Sequence, residues 1–421
     1  MDKFVINGGK KLKGEVKISG AKNASLALMP ATILAPGKSV LLNTPELNDV
    51  YTMTKLLAQL GAEVNFTNHV LELDTSKITN MVAPYEHVKK MRASVYVLGP
   101  LLSKYGYAKV SLPGGCAWGP RPINLHIESL KKMGAEIDLS EGYIIAKSKK
   151  LNGANITFDA SSVGATGNVM MAAALAKGTT IINNAAKESE IVNLANFLRL
   201  MGAKIDGIGT SVITIEGVNE LAPAEIATIP DRIEAGTLLI AAAITGGNIK
   251  IKNIESFYLE AVLSKLTDSG CQLNIGNNEI SISAPIDSIK ATDINTDIFP
   301  GFPTDMQAQW TAYMSLSNGT SIVVDNIYVD RFMHVAELQR LGADIKVKEN
   351  TAIITGVKNL TGAKVMSTDL RASASLVLAG LAAEGTTEVL RVYHLDRGYE
   401  KIEEKLKHLG ADIERVSTPE F

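Results

Sequence analysis

The chain has 421 residues, beyond the size at which one hydrophobic core stops growing, so two domains are the starting expectation. Lys and Arg total 42 against 44 Asp and Glu, a formal net charge of -2, which leaves no basic footprint for nucleic acid but allows a local basic pocket for a small anion. With 46% hydrophobic residues, 20% charged residues and only 2 cysteines, the composition is that of an ordinary globular protein without a disulfide framework. The opening Met1-Asp2-Lys3-Phe4 has no apolar signal core. The apolar stretches 238–245 and 374–383 are too short to span a bilayer, so a cytoplasmic protein with no membrane partner is expected.

The predicted elements repeat. After Ser19-Gly20-Ala21-Lys22-Asn23-Ala24 an apolar helical run leads to Gly37. Ala35-Pro36-Gly37-Lys38-Ser39 resembles the end of a phosphate loop, but Thr32 stands where the first glycine is required. Met53, Leu56, Leu57 and Leu60 then fall at helical spacing up to Gly61, where a left-handed C-cap is wanted, and Ala62-Glu63-Val64-Asn65-Phe66 alternates as a strand does. The phrase Leu-Gly-Ala-Glu-Val at 60–64 returns at 133–137, 201–205, 269–273, 341–345 and 409–413. That period is longer than the common solenoid repeats. A second glycine marks each unit: Gly37, Gly106, Gly178, Gly247, Gly319 and Gly385. It follows a run of small apolar residues, such as 170–176, and precedes a strand-like run, such as 179–182. Six units in two domains give three per domain, with the small-residue helices inward and sheets outside. The Pro-marked seam at 223–230, before Asp231-Arg232-Ile233-Glu234, is the mid-chain boundary candidate. The alternative, a solenoid of six units, lacks the distinct capping repeats such arrays need.

Candidate chemistry follows the same order. Lys22 and Asn23 precede an apolar helix whose first N–H groups favour an anion, or Lys22 is a solvated lysine beside a cap. Arg92 stands at an apparent helix start. In 112–122, Cys116 lies among glycines and prolines, hence on a loop, and Pro122 suits the first turn of a helix through Ile123, Ile127, Leu130 and Met133. A thiol beside Arg121 near a helix start has a tuned acidity; the alternative is a small buried hydrophobe. Asp305 sits in a Pro-punctuated loop before an apolar stretch, as a chemical carboxylate or as an N-cap. Arg371 and Arg397 again stand at apparent helix starts. Together with Arg121 and Lys22 they suit a doubly anionic ligand if the packing gathers them. No His-Glu-x-x-His or Cys-x-x-Cys occurs, and the six histidines are scattered, so the sequence supports no metal site.

Taken together, these motifs resemble the UDP-N-acetylglucosamine 1-carboxyvinyltransferase family of enolpyruvyl transferases over essentially the whole chain. The resemblance rests on 19–24, Gly114-Gly115-Cys116, Arg121-Pro122, Ser162-Val163-Gly164-Ala165-Thr166, 230–237, Pro303-Thr304-Asp305, Arg331-Phe332-Met333, Asp369-Leu370-Arg371-Ala372 and Asp396-Arg397-Gly398-Tyr399. It implies an α/β fold of two inside-out α/β barrels, each of three βαβαββ repeats with pseudo-threefold symmetry. Residues 22–230 would carry the cysteine loop. Residues 1–21 and 231–421 would carry the general base and the phosphoenolpyruvate-binding arginines, with the active site in the cleft between domains. By the same resemblance, Asp305 takes the proton from the sugar 3-hydroxyl and Cys116 protonates the methylene of phosphoenolpyruvate; a tetrahedral ketal then loses phosphate. Lys22, Arg121, Arg371 and Arg397 match positions that hold phosphate and carboxylate, and Asn23 matches one that touches phosphoenolpyruvate. Arg92, the run Arg121, Pro122, Ile123, Asn124 and Leu125, and Val163, Gly164, Asp305 and Ile327 match positions that hold UDP-N-acetylglucosamine. No metal or organic cofactor is implied. The pattern is departed from at Asn124, where many members have Asp, at Trp118, more often aliphatic, and at Gly167, often Glu. Two rival readings remain: the shikimate-pathway enolpyruvyl transferase, which lacks the cysteine loop and the Ser-Gly-Ala-Lys-Asn signature, and a silent UDP-sugar sensor, against which all the catalytic positions are present.

Overall fold

The computed structural model describes residues 2–88, 91–112, 123–285 and 288–417. The chain forms two compact units. One, the inserted unit, is Gly20–Ile229; the other, the split unit, joins Met1–Ser19 to Pro230–Phe421. The chain therefore crosses between units twice, at Ser19–Gly20 and at Ile229–Pro230.

Each unit holds three inner helices: Lys22–Ala31, Leu98–Tyr105 and Val163–Ala174 in the inserted unit, and Arg232–Ile244, Gln307–Met314 and Leu370–Ala382 in the split unit. Most are rich in small apolar residues and buried nearly all round, the pattern of a helix surrounded by protein; Leu98–Tyr105 and Gln307–Met314 also carry polar and large side chains. Every residue of Gln307–Met314 is buried. Small residues let neighbours approach: a Cβ at Gly99 would stand 2.3 Å from Asn168 Oδ1 on the adjacent inner helix. Six outer helices, Asn48–Leu60, Asn124–Lys132, Ser189–Leu200, Glu260–Asp268, His334–Arg340 and Ile402–His408, are amphipathic instead. Asn48–Leu60 buries Val50, Met53, Leu56, Leu57 and Leu60 while Lys55 and Gln59 face water. The helix expected from Pro122 is Asn124–Lys132.

The repeated phrase is a chain reversal. Gly61, Gly134, Gly202, Gly270, Gly342 and Gly410 all take positive φ, from 90° to 114°, where a side chain is disfavoured. The second glycine behaves alike in five units; in the fourth, Gly246 takes the positive φ (66°) in place of the expected Gly247. Gly247 is instead a close-approach glycine, with Leu12 O 2.4 Å from where its Cβ would lie.

The strands after Gly61, Gly134 and Gly202, namely Glu63–Thr67, Glu136–Ser140 and Lys204–Asp206, fall in three separate sheets. Six four-stranded sheets share one order: a parallel edge strand, the strand after the inner helix, then an antiparallel pair, which is a hairpin in five of them and joins the two ends of the described chain in the sixth. The ends of each unit complete these sheets, which a solenoid would not do. Glu225–Ala227 supplies the parallel edge beside Lys38–Leu42. Asp2–Asn7 lies between Thr386–Leu390 and Asp412–Ser417, with Phe4 and Ile6 buried. Two pseudo-symmetric α/β domains of alternating β and α repeats result.

The two glycine classes separate conformational from steric cost. Gly410 has nothing within 4 Å of its Cβ position, so Gly410→Ala should lose about 1 kcal/mol in denaturant titration, from conformation alone. Gly61→Ala should lose clearly more, because its Cβ would stand 2.5 Å from Lys77 O; equal losses would refute the distinction.

Candidate active site

In the split unit the chemistry collects at the starts of the inner helices. Asp231 caps Arg232–Ile244, its Oδ1 accepting from the Ile233 and Glu234 amides at 2.8 and 3.1 Å. Asp369 caps Leu370–Ala382, accepting from the Arg371 and Ala372 amides at 2.9 and 3.2 Å. Asp305 lies in the 3-10 turn Thr304–Met306 ahead of the inner helix Gln307–Met314, and it is not an N-cap. Its Oδ2 is 2.8 Å from Arg371 Nη2 and its Oδ1 is 2.9 Å from Arg331 Nη1.

Arg371 is only 2% exposed along its side chain. Its guanidinium stands over the Tyr399 ring, 5.3 Å from the centroid. The Tyr399 hydroxyl lies 2.9 Å from Thr237 Oγ1 and accepts from Gln309 Nε2 at 3.0 Å, and Gln309 also donates to the Asp305 carbonyl at 2.9 Å. Burial works against the Arg371 charge, but Asp305, with Tyr399 and Asp231, outweighs it and holds the group protonated beyond its usual range. Its Nε and Nη1 are buried with no hydrogen-bond partner among the described residues. A charged donor pair left open in this way is suited to a planar or tetrahedral anion. Arg397 ends the 3-10 helix Val392–Arg397 and is half-buried. Ile327 follows the strand Thr320–Asp325, its amide donating to Asp325 Oδ1 at 3.0 Å.

In the inserted unit, Lys22 and Asn23 open the inner helix Lys22–Ala31, whose N-cap, Ala21, has no capping side chain. Lys22 is not a solvated lysine: its side chain is 13% exposed and its Nζ is 4.0 Å from the buried Asp49. Arg92 opens the 3-10 helix Arg92–Val97, which packs against Lys22–Ala31. Val163 and Gly164 form the first turn of Val163–Ala174, which Ser162 caps by accepting from the Ala165 amide at 3.3 Å. Ile123 and Leu125 are half-buried and Asn124 is exposed at the start of Asn124–Lys132, which packs on Val163–Ala174. His126 joins the two helices. Its Nδ1 meets Asn168 Nδ2 at 3.0 Å, and a Cβ at Gly164 would stand 3.3 Å from its Nε2. Because the Asn168 amide nitrogen can only donate, Nδ1 is the acceptor and Nε2 carries the proton. Asn124, the departure from Asp, is exposed at this turn, and nothing in the structure explains it. The Gly167 departure has a structural account: a Cβ there would lie 2.8 Å from Tyr96 Cε1, in space the ring already fills. Cys116, Trp118, Arg121 and Pro122 lie outside the described residues.

The structure thus gathers Asp305 and Arg371 in one unit, and 123–125 with Val163 and Gly164 in the other. Sequence reasoning missed Arg331 as a partner of Asp305, and the support given by Tyr399, Asp49 and His126. Only Tyr399 and Arg331 lay in motifs already singled out.

A family model described as EPSP synthase (3-phosphoshikimate 1-carboxyvinyltransferase) matches residues 6–406. The UDP-N-acetylglucosamine 1-carboxyvinyltransferase of Chloroherpeton thalassium is 58% identical over 424 residues, covering 100% of this chain and 99% of that protein. The chain belongs to the UDP-N-acetylglucosamine 1-carboxyvinyltransferase family. It falls within the wider family of the matching model. The enzyme of the same name from Geotalea uraniireducens is 57% identical over 416 residues, 99% of this chain and 100% of that one. Among solved structures, the enolpyruvyl transferase NikO from Streptomyces tendae superposes with a TM-score of 0.89 at 22% identity over 99% of both chains. EPSP synthase from Acinetobacter baumannii gives 0.78 at 18% identity over 99% of this chain and 100% of that one. At those identities the two structures carry the fold alone. Among the described residues no helix is long and apolar enough to cross a membrane, and no cluster of three or more His, Cys, Asp or Glu is arranged to hold a metal ion.

Burial pushes the His126 imidazole down from 6.5 to about 4. The unfolded chain takes up this proton first as pH falls, so the stability tied to neutral His126 is complete above pH 6.5 and is lost as pH falls through about 4. His126→Gln should flatten the fall in unfolding free energy across that window by an amount on the order of 3 kcal/mol. An unchanged slope in the variant would show that His126 is not the group responsible.

Proposed function

We propose that this chain transfers the enolpyruvyl group of phosphoenolpyruvate to the 3-hydroxyl of UDP-N-acetylglucosamine with release of phosphate, the first committed step of peptidoglycan synthesis. Family membership sets the reaction. The observation that carries the site reading is Arg371: a buried guanidinium that spends one nitrogen on Asp305 and keeps Nε and Nη1 open.

The residues divide the work. The anionic ends of phosphoenolpyruvate go to Lys22, Arg121, Arg371 and Arg397, with Asn23 beside them. The UDP-sugar is held by Arg92, residues 121–125, Val163, Gly164, Asp305 and Ile327. A vinyl ether phosphate is a poor electrophile until its terminal carbon is protonated, and Cys116 delivers that proton. A sugar hydroxyl is a poor nucleophile until a base takes its proton, and Asp305 takes it. The oxygen adds to C2, a tetrahedral ketal forms, and loss of phosphate with a methyl proton restores the double bond. No metal or organic cofactor enters the scheme. Lys22 and Cys116 come from residues 22–230; Asp305, Arg371 and Arg397 come from the other unit. Each unit is read as an inside-out α/β barrel, a reading supported by its three buried inner helices, and the protein as cytoplasmic.

Phosphate release from phosphoenolpyruvate on mixing with UDP-N-acetylglucosamine tests the reaction; no release with that acceptor, or release only with shikimate 3-phosphate, would sink it. Both Asp305→Ala and Asp305→Asn remove the charge that meets Arg371, but Asn keeps the side-chain size and an oxygen to accept from the guanidinium, so Asp305→Asn is the better probe of the base. Turnover should fall by a factor on the order of 10² or more with UDP-sugar affinity nearly intact; normal turnover would remove Asp305 from the chemistry.

Cys116 should be alkylated by a phosphonate epoxide of the fosfomycin type, faster with UDP-N-acetylglucosamine present. Cys271 should stay unmodified, because it is 4% exposed, burial pushes its thiol up, and it contacts Tyr313. Cys116→Asp should keep measurable turnover and resist alkylation, since a carboxylic acid still donates a proton but is a weak nucleophile. An adduct on Cys271, or full activity in Cys116→Ala, contradicts the assignment.

A further inference from the structure

Asp305 is held by two arginines of different kinds. Arg371 is the one with open donors. Arg331 is anchored in a frame of its own. Its Nη1 also donates to Thr304 Oγ1 at 3.1 Å, and Thr304 donates to Asp325 Oδ2 at 2.8 Å. Asp325 is fully buried and tightly satisfied: Thr296 Oγ1 donates to its Oδ1 at 2.8 Å, and the amides of Ile327 and Tyr328 do so at 3.0 and 2.9 Å. The Arg331 guanidinium faces the Tyr328 ring, 5.6 Å from its centroid. Turn, buried carboxylate and ring together hold Arg331 in place.

A carboxylate gripped by two guanidinium groups is a weak base, because both cations favour its ionised form. A polyanion bound at Arg371 draws that guanidinium's charge to itself and leaves Arg331 as the steady partner. We propose that Arg331 is a positioning residue for Asp305, holding Oδ1 so that Oδ2 is turned to accept the hydroxyl proton once an anion engages Arg371. This rests on the reading of Asp305 as the general base. Among the described residues of the split unit, the titratable groups near this carboxylate and its partner are Arg371, the cap Asp369 on the same inner helix, and Asp231 at the start of another, which acts on Arg371. Arg331, His334 and, through Thr304, Asp325 come from 325–334, and Tyr399 lies under Arg371. Arg331 is the one of these that meets Oδ1 directly and stands outside the open-donor pair.

The test is the pH profile of kcat with both substrates saturating. Removing a cation from a carboxylate raises its pKa, so Arg331→Gln should move the acid limb to higher pH. It should lower kcat at neutral pH by about tenfold or more while KM for each substrate changes by less than about threefold. Arg331→Lys, which restores the charge, should bring the limb most of the way back. In an Asp305→Asn background Arg331→Gln should have little further effect on kcat. An acid limb that stays in place, a rise in KM at unchanged kcat, or a loss of thermal stability that Arg331→Lys does not recover would each overturn the proposal. Full turnover in Asp305→Asn alone would instead overturn the reading of the base, so the two failures are told apart.

Discussion

A guanidinium withdrawn from water must be met by negative charge, and Arg371 is met by Asp305. The polar order around Asp305 and the start of Leu370–Ala382 follows from that pair. Removing one partner of such a buried pair leaves an uncompensated charge, at a cost of about 3–5 kcal/mol. The surroundings keep both partners in register: Asp369 fixes the turn that carries Arg371, Tyr399 lies beneath the guanidinium, and Gln309 ties the Asp305 backbone to the same tyrosine. What remains unsatisfied, two donors on Arg371, is a deficit that an anion relieves.

The inserted unit solves a different problem with the same architecture. Its inner helices start with little carboxylate: Ala21 gives no capping side chain before Lys22, and Ser162 caps Val163–Ala174 with a neutral hydroxyl. First-turn N–H groups without a carboxylate cap and a nearly buried lysine make these starts hospitable to phosphate, whereas Asp231 and Asp369 bring carboxylates to the corresponding turns of the split unit. One repeat thus yields two electrostatic environments through the choice of capping residue.

The repeat itself was readable from sequence because its punctuation is chemical. Gly61 and its five counterparts sit at positive φ, where few other residues are tolerated, so the fold's reversals are written in glycine. The fourth unit misled at Gly246 and Gly247 because adjacent glycines served two needs, one conformational and one steric. Pairings were not readable. Asp305 and Arg371 are far apart in the chain, and nothing in either local sequence names the other. Nor does Tyr96 announce that it fills the space beside Gly167, a tertiary contact that decides a position the family pattern left unexplained.

The strand Asp2–Asn7 is the first element made and among the last to find its place, since both of its partners, Thr386–Leu390 and Asp412–Ser417, are the last strands of the chain. At about 5–20 residues per second, a ribosome takes tens of seconds to deliver them. Throughout that interval Phe4 and Ile6 have no native partner, while Gly20–Ile229 has every strand of its sheets and can fold on emergence. The nascent chain therefore carries a finished domain between two halves of an unfinished one. A truncation at the carboxyl end thus harms the amino-terminal strand as directly as a mutation within it.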